Sequence, residues 1–329
     1  MITKMERECK KVKRKIILVT AIGTLTATAI IQELLCDKEE YYIIGTDINP
    51  ANQIVTSRDV DEFYVFPSAV DDQNEYRKFV LNFCETHAVE YLFPVIDEEV
   101  VDYAEHFDEF QRIGVKLCIP NKELIWICHY KNLFFEWITK NTPEIAIKTY
   151  SSLQDLNSKD FPVFIKPIEG RASNGCRKIK DLKELDQIDG LSHYIIQSYQ
   201  EGDIVTADIL RNAAYGQSQV VQRKELLRNK NGCGLAVKII YNEQIEKICL
   251  FLAERLQLNG VVNAEFFVND SEIKIIEINP RFSAGSIFSS FAGCNLAQNM
   301  IRIVDGESCK LQNIKIGKNY ARRYEAYEL

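Results

Sequence analysis

Short apolar runs alternate with longer amphipathic stretches over the first 120 residues of the chain. The runs have the length and the β-branched and aromatic content of buried strands, whereas the stretches between them have the period of helices. Strands are predicted at 16–20, 41–47, 63–66 and 91–95, with helices ending near 35 and spanning 74–87 and 97–110. Such alternation is typical of a parallel sheet covered by helices on both faces.

The pattern changes after residues 119–121, where Pro120 ends one segment and Asn121 can cap a helix that starts at Lys122. Beyond this point strands prevail. They are predicted at 163–166, 194–197, 204–210 and around Glu265 and Glu277, with a helix at 243–256. The sequence therefore predicts an α/β domain followed by an α+β region.

The composition is that of a globular protein, because 46% of the 329 residues are hydrophobic and 26% are charged. The formal net charge of −7 argues against a global positive field for nucleic acid. The ten cysteines form no C-x-x-C pair, which favours reduced cytosolic thiols over a zinc site or a disulfide framework. We therefore expect a cytoplasmic protein without a nucleic-acid partner.

A basic stretch at 10–15 precedes an apolar-leaning run at 16–35, as in a signal peptide or a membrane anchor. Several threonines, Gln32 and Glu33 interrupt the run, and Gly23 divides it into a strand and a helix, so we expect no membrane segment. The same turn lacks the three glycines of a G-x-G-x-x-G fingerprint. This argues against a nicotinamide-dependent oxidoreductase.

Two β-rich runs near the carboxyl end flank a polar turn and predict a hairpin. A three-residue loop at 270–272 places Glu265 opposite Glu277 and Asn263 opposite Asn279, with all four side chains on one face. Opposed carboxylates repel, so we expect a cation between them, and oxygen ligands without His or Cys favour Mg²⁺. Solvated acids on an edge hairpin, or another register, are the alternatives.

Lys166 ends an apolar strand and is followed by a loop with two glycines, Ser173 and Asn174. A rigid strand would position the ammonium group, and the loop amides could fold over phosphates. The loop lacks the G-K-[ST] of a Walker A motif, so an ordinary surface hairpin is the alternative. Arg281 would place a guanidinium beside the carboxylates, where it suits anionic oxygens.

Together these motifs resemble the ATP-grasp enzymes, in particular the ATP-binding half of the carbamoyl phosphate synthetase large subunit and small ligases of the pyrrolysine-pathway type. The resemblance covers nearly the whole chain. The motifs follow a Rossmann-like region and stand in the family's order. They are His129-Tyr130-Lys131, Phe164-Ile165-Lys166-Pro167 with its glycine loop, a hinge at 196–202, Asn263-x-Glu265 and Glu277-x-Asn279-Pro280-Arg281.

The resemblance implies a Rossmann-like pre-ATP-grasp domain with a parallel sheet at 1–120, and an ATP-grasp fold of two α+β subdomains at 121–329. A small lid subdomain would span 121–196, and a metal-binding subdomain would span 197–329.

The resemblance also implies roles for single residues. Lysines would bind the nucleotide phosphates, the loop at 169–175 would close over them, Gln197 would face the adenine amino group, and the backbone at 198–199 would bind the adenine edge. The implied ATP contacts are Lys131, Lys166, Gly170, Ser173, Asn174, Gly175, Gln197, Ser198, Tyr199 and Asp203. The implied Mg²⁺ ligands are Glu265, Glu277 and Asn279, and the implied catalytic residues are Arg281 and Lys166.

One position departs from the family pattern. Seven residues after Gln197, where the family often has a glutamate for the ribose hydroxyls, this chain has Ile204. The adjacent Asp203 could substitute, although strand alternation directs it to the other face unless the strand bends.

Charged residues in two places are candidates for substrate binding. Arg223 and Lys224, with Arg228, are expected on a strand-to-loop passage and suit a carboxylate, with a solvated basic turn as the alternative. Asp97 and Glu98 follow the strand at 91–95 and suit an ammonium group, but they could equally begin the next helix and complement its dipole.

The resemblance implies an ADP-forming carboxylate–amine ligase that acts through an acyl phosphate. Its cofactors would be ATP and Mg²⁺, as one or two ions that Mn²⁺ could replace. Its partners would be small-molecule carboxylate and amine substrates, without nucleic acid or membrane, and a homodimer is an option. The alternatives are an enzyme that phosphorylates a carbamate- or bicarbonate-type substrate, and a nucleotide-binding regulatory protein without turnover.

Overall fold

The computed structural model describes residues 14–150, 152–170 and 174–329. The first strands are β1 (Lys15–Val19), β2 (Tyr41–Asp47), β3 (Glu62–Val65), β4 (Tyr91–Phe93) and β5 (Lys116–Leu117). They form a parallel sheet of order β3-β2-β1-β4-β5. The helices of this unit are α1 (Leu25–Leu34), α2 (Gln73–Thr86), α3 (Asp97–Glu105) and α4 (Phe107–Arg112). The predicted parallel α/β architecture is confirmed.

Two details of this unit differ from the sequence prediction. The helix predicted at 97–110 is interrupted at His106, whose φ of −107° and ψ of 26° leave the helical region. The His106 Nδ1 atom lies 2.8 Å from the carbonyl oxygen of Asp102, within hydrogen-bonding distance of the end of α3. Strand β5 has two residues, which is too short to carry a period that the sequence could reveal.

The apolar-leaning run at 16–35 forms β1, a turn and α1, as predicted. The Gly23 N–H donates to Asp47 Oδ2 at 2.9 Å, and a Cβ at this position would lie 2.8 Å from Ile54. A side chain at this position would therefore have to displace the end of the Ile54 side chain. Residues 10–13 of the basic stretch lie outside the described residues.

Across the described part of the chain, no helix has both the length and the apolar content that crossing a membrane requires.

The second sheet is small and antiparallel. It consists of β6 (Thr149–Tyr150), β7 (Val163–Pro167), β8 (Arg177–Ile179) and β9 (Tyr194–Ser198), in the order β6-β9-β7-β8. Helices α5 (Lys122–His129) and α6 (Lys131–Asn141) precede it, and α7 (Leu182–Leu185) follows β8. Helix α5 starts directly after Asn121, as predicted.

The third sheet has six antiparallel strands. They are β10 (Asp203–Asn212), β11 (Gln217–Arg228), β12 (Gly234–Ile240), β13 (Gly260–Val268), β14 (Ile273–Asn279) and β15 (Asn319–Ala321), in the order β14-β13-β10-β11-β12-β15. Helix α8 (Glu243–Arg255) packs on it, and α9 (Ser286–Ala292) and α10 (Leu296–Val304) follow β14. Strands β12 and β15 are additional to the predicted elements, and β11 includes the strand-to-loop passage predicted at Arg223 and Lys224.

The last two helices join the first unit to the third sheet. Ile30 and Ile31 of α1 share a core with Met300 and Ile301 of α10. The Glu33 carboxylate accepts a hydrogen bond from the first turn of α10. The parallel sheet is therefore packed against the carboxyl-terminal region, and the domain boundaries predicted at 120 and 196 remain predictions.

Candidate active site

A cleft with a volume of about 1390 Å³ opens among the three sheets. It exceeds the roughly 300–1,000 Å³ of typical small-molecule sites, which leaves room for a nucleotide and a further substrate. Most predicted site residues line it, namely Asp97, Glu98, Lys131, Lys166, Gly170, Asn174, Gln197, Ser198, Tyr199, Arg223, Glu265, Glu277, Asn279 and Arg281. Gly175, Asp203 and Lys224 are outside its lining, and Ser173 lies outside the described residues.

Strands β13 and β14 carry the acidic residues of the cleft. Glu265 pairs with Glu277 and Asn263 with Asn279, as the sequence predicts. Glu265, Glu277 and Asn279 line the cleft, whereas the buried Asn263 amide donates to Asp208 at 2.8 Å. The hairpin therefore brings two carboxylates and one amide to the same wall.

The predicted loop of this hairpin is wrong by one residue. Val268, rather than the residue after it, pairs with Ile273, and an extra residue in β14 then restores the predicted pairing of the acids. That residue is Ile276, which forms a β-bulge between the positions opposite residues 265 and 266. The bulge keeps Ile275 and Ile278 in the core, while the two residues between them, Ile276 and Glu277, line the cleft.

The two carboxylates lie opposite each other in a half-buried environment. Burial, and after it the charge of Glu277, raise the pKa of Glu265 to about 7. Arg228 opposes this shift, since its Nη2 donates to Glu265 Oε2 at 2.8 Å. The Asn279 Nδ2 donates to Glu277 Oε1 at 3.2 Å. The wall thus favours binding of positive charge.

These residues fit a magnesium ion by the chemistry of their donors. Mg²⁺ is commonly held by one or two carboxylates together with substrate phosphates. Within the described residues, no group of three or more His, Cys, Asp or Glu converges as metal ligands, so a site here would add the Asn279 amide oxygen to Glu265 and Glu277. The repulsion between the two carboxylates is the feature that a cation would relieve.

Two lysines line the cleft from different elements. Lys166 is 7% exposed at the end of β7, and its Nζ donates to the carbonyl of Ile276 at 3.4 Å. Burial lowers the pKa of this lysine, and Glu277 partly offsets the effect. Lys131 is the first residue of α6, and its Nζ donates to the carbonyl of Gly170 at 2.9 Å. A strand therefore positions the ammonium group of Lys166 in the cleft, and the start of a helix positions that of Lys131.

Gln197 has an unsatisfied acceptor in the cleft wall. Its side chain is 1% exposed and its Nε2 donates to Thr149 Oγ1 at 3.0 Å, while its Oε1 has no hydrogen-bond partner among the described residues. An exocyclic amino group such as that of adenine would satisfy it. The backbone N–H groups of Ser198 and Tyr199 already donate to the carbonyls of Lys148 and Pro162. Adenine contacts from Ser198 and Tyr199 would therefore use other atoms.

Asp203 does not take the position expected for a ribose contact. Ile204 lines the cleft, and Asp203 forms an exposed ion pair with Lys224 outside it. Strand β10 is regular here, so neighbouring residues point to opposite faces. The structure therefore argues against contacts of Asp203 with the nucleotide and of Lys224 with a substrate.

Arg281 is held by the first unit of the protein. Its Nε donates to Asp97 Oδ1 at 2.6 Å and its Nη2 to Asp97 Oδ2 at 3.4 Å. Phe93 and Phe282 pack edge to face next to this pair, with ring centroids 5.7 Å apart. The Asp97 carboxylate thus binds and orients Arg281. Its role toward a substrate ammonium group stays a prediction. Glu98 lines the cleft in the first turn of α3.

Arg223 is a buried structural residue rather than part of a strand-to-loop passage. It lies within β11, and its guanidinium and the Asp208 carboxylate, each 1% exposed, form an ion pair. Ser283 and Ser289 also donate to this carboxylate, at 3.0 and 2.7 Å. The predicted contact of Arg223 with a substrate carboxylate is therefore not supported, since its charge is neutralised in the interior.

Thr206 and Glu225 also line the cleft, although they are not among the sequence candidates. Thr206 Oγ1 donates to Glu225 Oε1 at 2.8 Å, and Thr206 pairs with Glu265 across β10 and β13. The alternation of β10 that exposes Ile204 to the cleft also exposes Thr206, so this residue could be found from the sequence. Glu225 depends on the irregular end of β11, which carries no sequence signal.

Comparisons with known proteins identify two domains and a fold. A family model described as an ATP-grasp domain matches residues 128–285, and one described as a PylC-like N-terminal domain matches residues 17–118. A biotin carboxylase from Campylobacter jejuni, solved with an ATP analogue, has a similar fold, with a TM-score of 0.74 over 93% of this chain and 74% of that chain at 13% identity.

Two curated relatives match parts of the sequence. The 3-methyl-D-ornithine–L-lysine ligase of Methanosarcina mazei is 26% identical over 149 residues, which are 44% of this chain and 39% of that enzyme. The carbamoyl phosphate synthase large chain of Vibrio parahaemolyticus is 39% identical over 71 residues, which are 21% of this chain and 6% of that one. The matches thus span well under half the length of either relative. The chain therefore contains a PylC-like N-terminal domain, followed by an ATP-grasp domain.

Proposed function

We propose that this protein is an ATP-dependent, ADP-forming ligase that joins a carboxylate to an amine through an acyl phosphate. One observation carries the proposal: the opposed carboxylates of Glu265 and Glu277, the buried Lys166 and the anchored Arg281 all face a single cleft. Phosphoryl transfer depends mainly on positioning and charge neutralisation, so this set needs no nucleophile from the protein.

The proposed reaction has two steps. A carboxylate oxygen of the substrate attacks the γ-phosphorus of ATP, and ADP leaves. The amine nitrogen then attacks the acyl carbon, phosphate departs with the electrons of the broken C–O bond, and the nitrogen loses a proton. Lys131 and Lys166 bind the phosphates, Gln197 accepts from the adenine amino group, and Arg281 stabilises the charge on the transferring group. Gly170 and Asn174, which line the cleft near Lys131, are further phosphate contacts.

In this proposal Glu265, Glu277 and Asn279 hold the magnesium. The bound ion would neutralise charge on the phosphate oxygens. One or two ions, and replacement by Mn²⁺, are compatible with the donor set of oxygen atoms.

The substrates are proposed to be small molecules that carry amino and carboxyl groups. The name of the Methanosarcina relative, a ligase for an ornithine derivative and lysine, supports this class. Asp97 and Glu98 on the cleft wall are candidate partners for a substrate ammonium group. A cytoplasmic location and a homodimer stay predictions.

The test is phosphate release from ATP with Mg²⁺ while amino acids, dipeptides and sugar acids are screened in pairs, with ADP and AMP separated in each sample. ADP and phosphate that appear only with a particular carboxylate support the proposal. AMP with pyrophosphate would contradict it by indicating adenylation. Phosphate that depends on bicarbonate alone would instead favour the carbamate- or bicarbonate-type alternative.

A further inference from the structure

Arg228 stands out because its partner is one of the proposed metal ligands. It is the last residue of β11, and its guanidinium is 22% exposed in the cleft. Its Nη2 donates to Glu265 at 2.8 Å and its Nε donates to the carbonyl of Gly232. The guanidinium therefore lies on the carboxylate that would also bind Mg²⁺.

A divalent cation and this guanidinium compete for the same carboxylate. A cation bound to Glu265 would place two like-signed groups next to each other at short range, and the attraction that holds Arg228 would weaken. We expect the guanidinium, rather than the divalent cation, to leave Glu265. The guanidinium carries one charge and is partly exposed, so water can solvate it after it leaves. A divalent cation between Glu265 and Glu277 binds two carboxylates at once.

The backbone around Arg228 permits such a change. Strand β11 loses its regular register on β12 at Glu225 and again between Leu227 and Arg228. The turn that follows contains Asn231 and Gly232, both in the cleft lining, and Gly232 has a φ of +81°. The arginine thus extends from an irregular strand end into the cleft rather than from a regular ladder.

We infer that Arg228 is an anion-binding arm that the divalent cation releases: cation binding at Glu265 and Glu277 frees the guanidinium to bind an oxyanion in the cleft. The oxyanion is a carboxylate of the substrate or a phosphate of the nucleotide, which a guanidinium recognises through the same paired hydrogen bonds. The inference rests on the proposed function for the identity of these anions. Under this inference, binding of the cation and binding of the anion strengthen each other. The cation replaces Arg228 as the partner of Glu265, and the anion replaces Glu265 as the partner of Arg228.

The test measures binding and needs no turnover, so its failure is distinct from failure of the ligase proposal. Mn²⁺ affinity is measured by electron paramagnetic resonance for the full chain, alone and with acetate or inorganic phosphate. Arg228→Gln removes the competing guanidinium and is expected to tighten Mn²⁺ binding about tenfold, the size typical of a hydrogen-bonded charge. Lys238→Gln, on an exposed site of β12, is the control with the same change of charge.

The added anions test whether the released Arg228 binds an oxyanion. In the parent protein acetate or phosphate is expected to strengthen Mn²⁺ binding, and this coupling should vanish in Arg228→Gln and persist in Arg228→Lys. Coupling to acetate alone assigns Arg228 to the substrate carboxylate, and coupling to phosphate alone assigns it to the nucleotide. Unchanged Mn²⁺ affinity in Arg228→Gln, or anion coupling that survives in it, overturns the inference.

Discussion

Two arginine–carboxylate pairs on one face of the six-stranded sheet have opposite characters. Arg223 and Asp208 are each 1% exposed, and three further side chains donate to the carboxylate. Arg228 and Glu265 are 22% and 14% exposed, and Glu265 lies opposite a second carboxylate. The first pair is satisfied internally, whereas in the second pair the carboxylate also faces the carboxylate of Glu277. The cleft pair is therefore the one suited to exchange partners with a ligand.

One residue of each pair lies in the same row across the sheet. Thr206 pairs with Arg223 on one side and with Glu265 on the other, and Glu265 pairs with Glu277. Within this row Arg223 is buried in an ion pair, whereas Glu265, two strands away, lines the cleft. Polar side chains in a sheet are informative only when their partners are known.

The largest effect is expected from removing one carboxylate of the cleft. Glu277→Ala should lower Mg²⁺-dependent phosphate release about 10³-fold, roughly 4 kcal/mol, because a ligand of the ion is lost. The protein should remain folded, since the change removes one of two repelling charges. Phosphate release and circular dichroism would be measured together.

Glu272→Ala, in the exposed turn of the same hairpin, is the matched control and should keep parental activity. Parental turnover in Glu277→Ala would show that the metal assignment is incorrect.

Breaking the buried Arg223–Asp208 pair should lower the free energy of unfolding. Arg223→Met leaves Asp208 buried and uncompensated, so the free energy of unfolding should fall by about 3–5 kcal/mol. Arg228→Met should change it by less than about 1 kcal/mol, because its pair is partly exposed. Urea denaturation measures both. Equal losses in the two variants would remove the distinction between the pairs.

A smaller effect is expected at the contact between the two domains. Asp97→Asn removes the charge that orients Arg281, and a misplaced guanidinium should lower kcat about 10- to 100-fold. The KM for ATP should change less, since the lysines and Gln197 remain. Asp97→Glu should recover part of kcat. A loss confined to KM would instead indicate that Asp97 contacts a substrate.

The smallest effect concerns Glu33, a buried carboxylate that accepts from Ala297 N–H at 2.6 Å. Burial, and to a lesser degree Asp208, raise the pKa of Glu33 well above 4.5. The folded state therefore retains the Glu33 proton more strongly than the unfolded state does. The contribution of Glu33 to stability is present in full below pH 4.5 and is lost as pH rises through the raised pKa.

Glu33→Gln should flatten this dependence, by at most about 1.4 kcal/mol per pH unit. Urea denaturation at several pH values would measure the difference, with the exposed Glu40→Gln as control. Parallel curves for the parent and Glu33→Gln would contradict the assignment.

Local signals account for what the sequence predicts correctly. Strand β2 is found where its apolar run lies, at Tyr41–Asp47. The pairing of Glu265 with Glu277 is also confirmed, but only because the Ile276 bulge compensates for a longer turn. The core residues Ile273 and Ile275 are two positions apart, whereas Ile275 and Ile278 are three apart, which indicates the bulge. The signal cannot be read from the sequence, because Ile276 is also apolar.

Long-range partners account for what the sequence cannot supply. Nothing local to Arg223 distinguishes it from a solvated basic residue, because its partners Asp208 and Ser289 are 15 and 66 residues away in the sequence. The same holds for Asp97, which meets Arg281 across 184 residues. Charged residues in a sequence can be located on strands or helix starts, but whether they bind a ligand or each other depends on the tertiary fold.

Isotope transfer tests the central claim most directly. A substrate carboxylate labelled with ¹⁸O, identified in the phosphate-release screen, is converted with ATP and an amine, and the phosphate is analysed by mass spectrometry. An acyl phosphate requires one labelled oxygen in each inorganic phosphate formed. Label in AMP, or phosphate without label, would contradict a carboxylate attack on the γ-phosphorus.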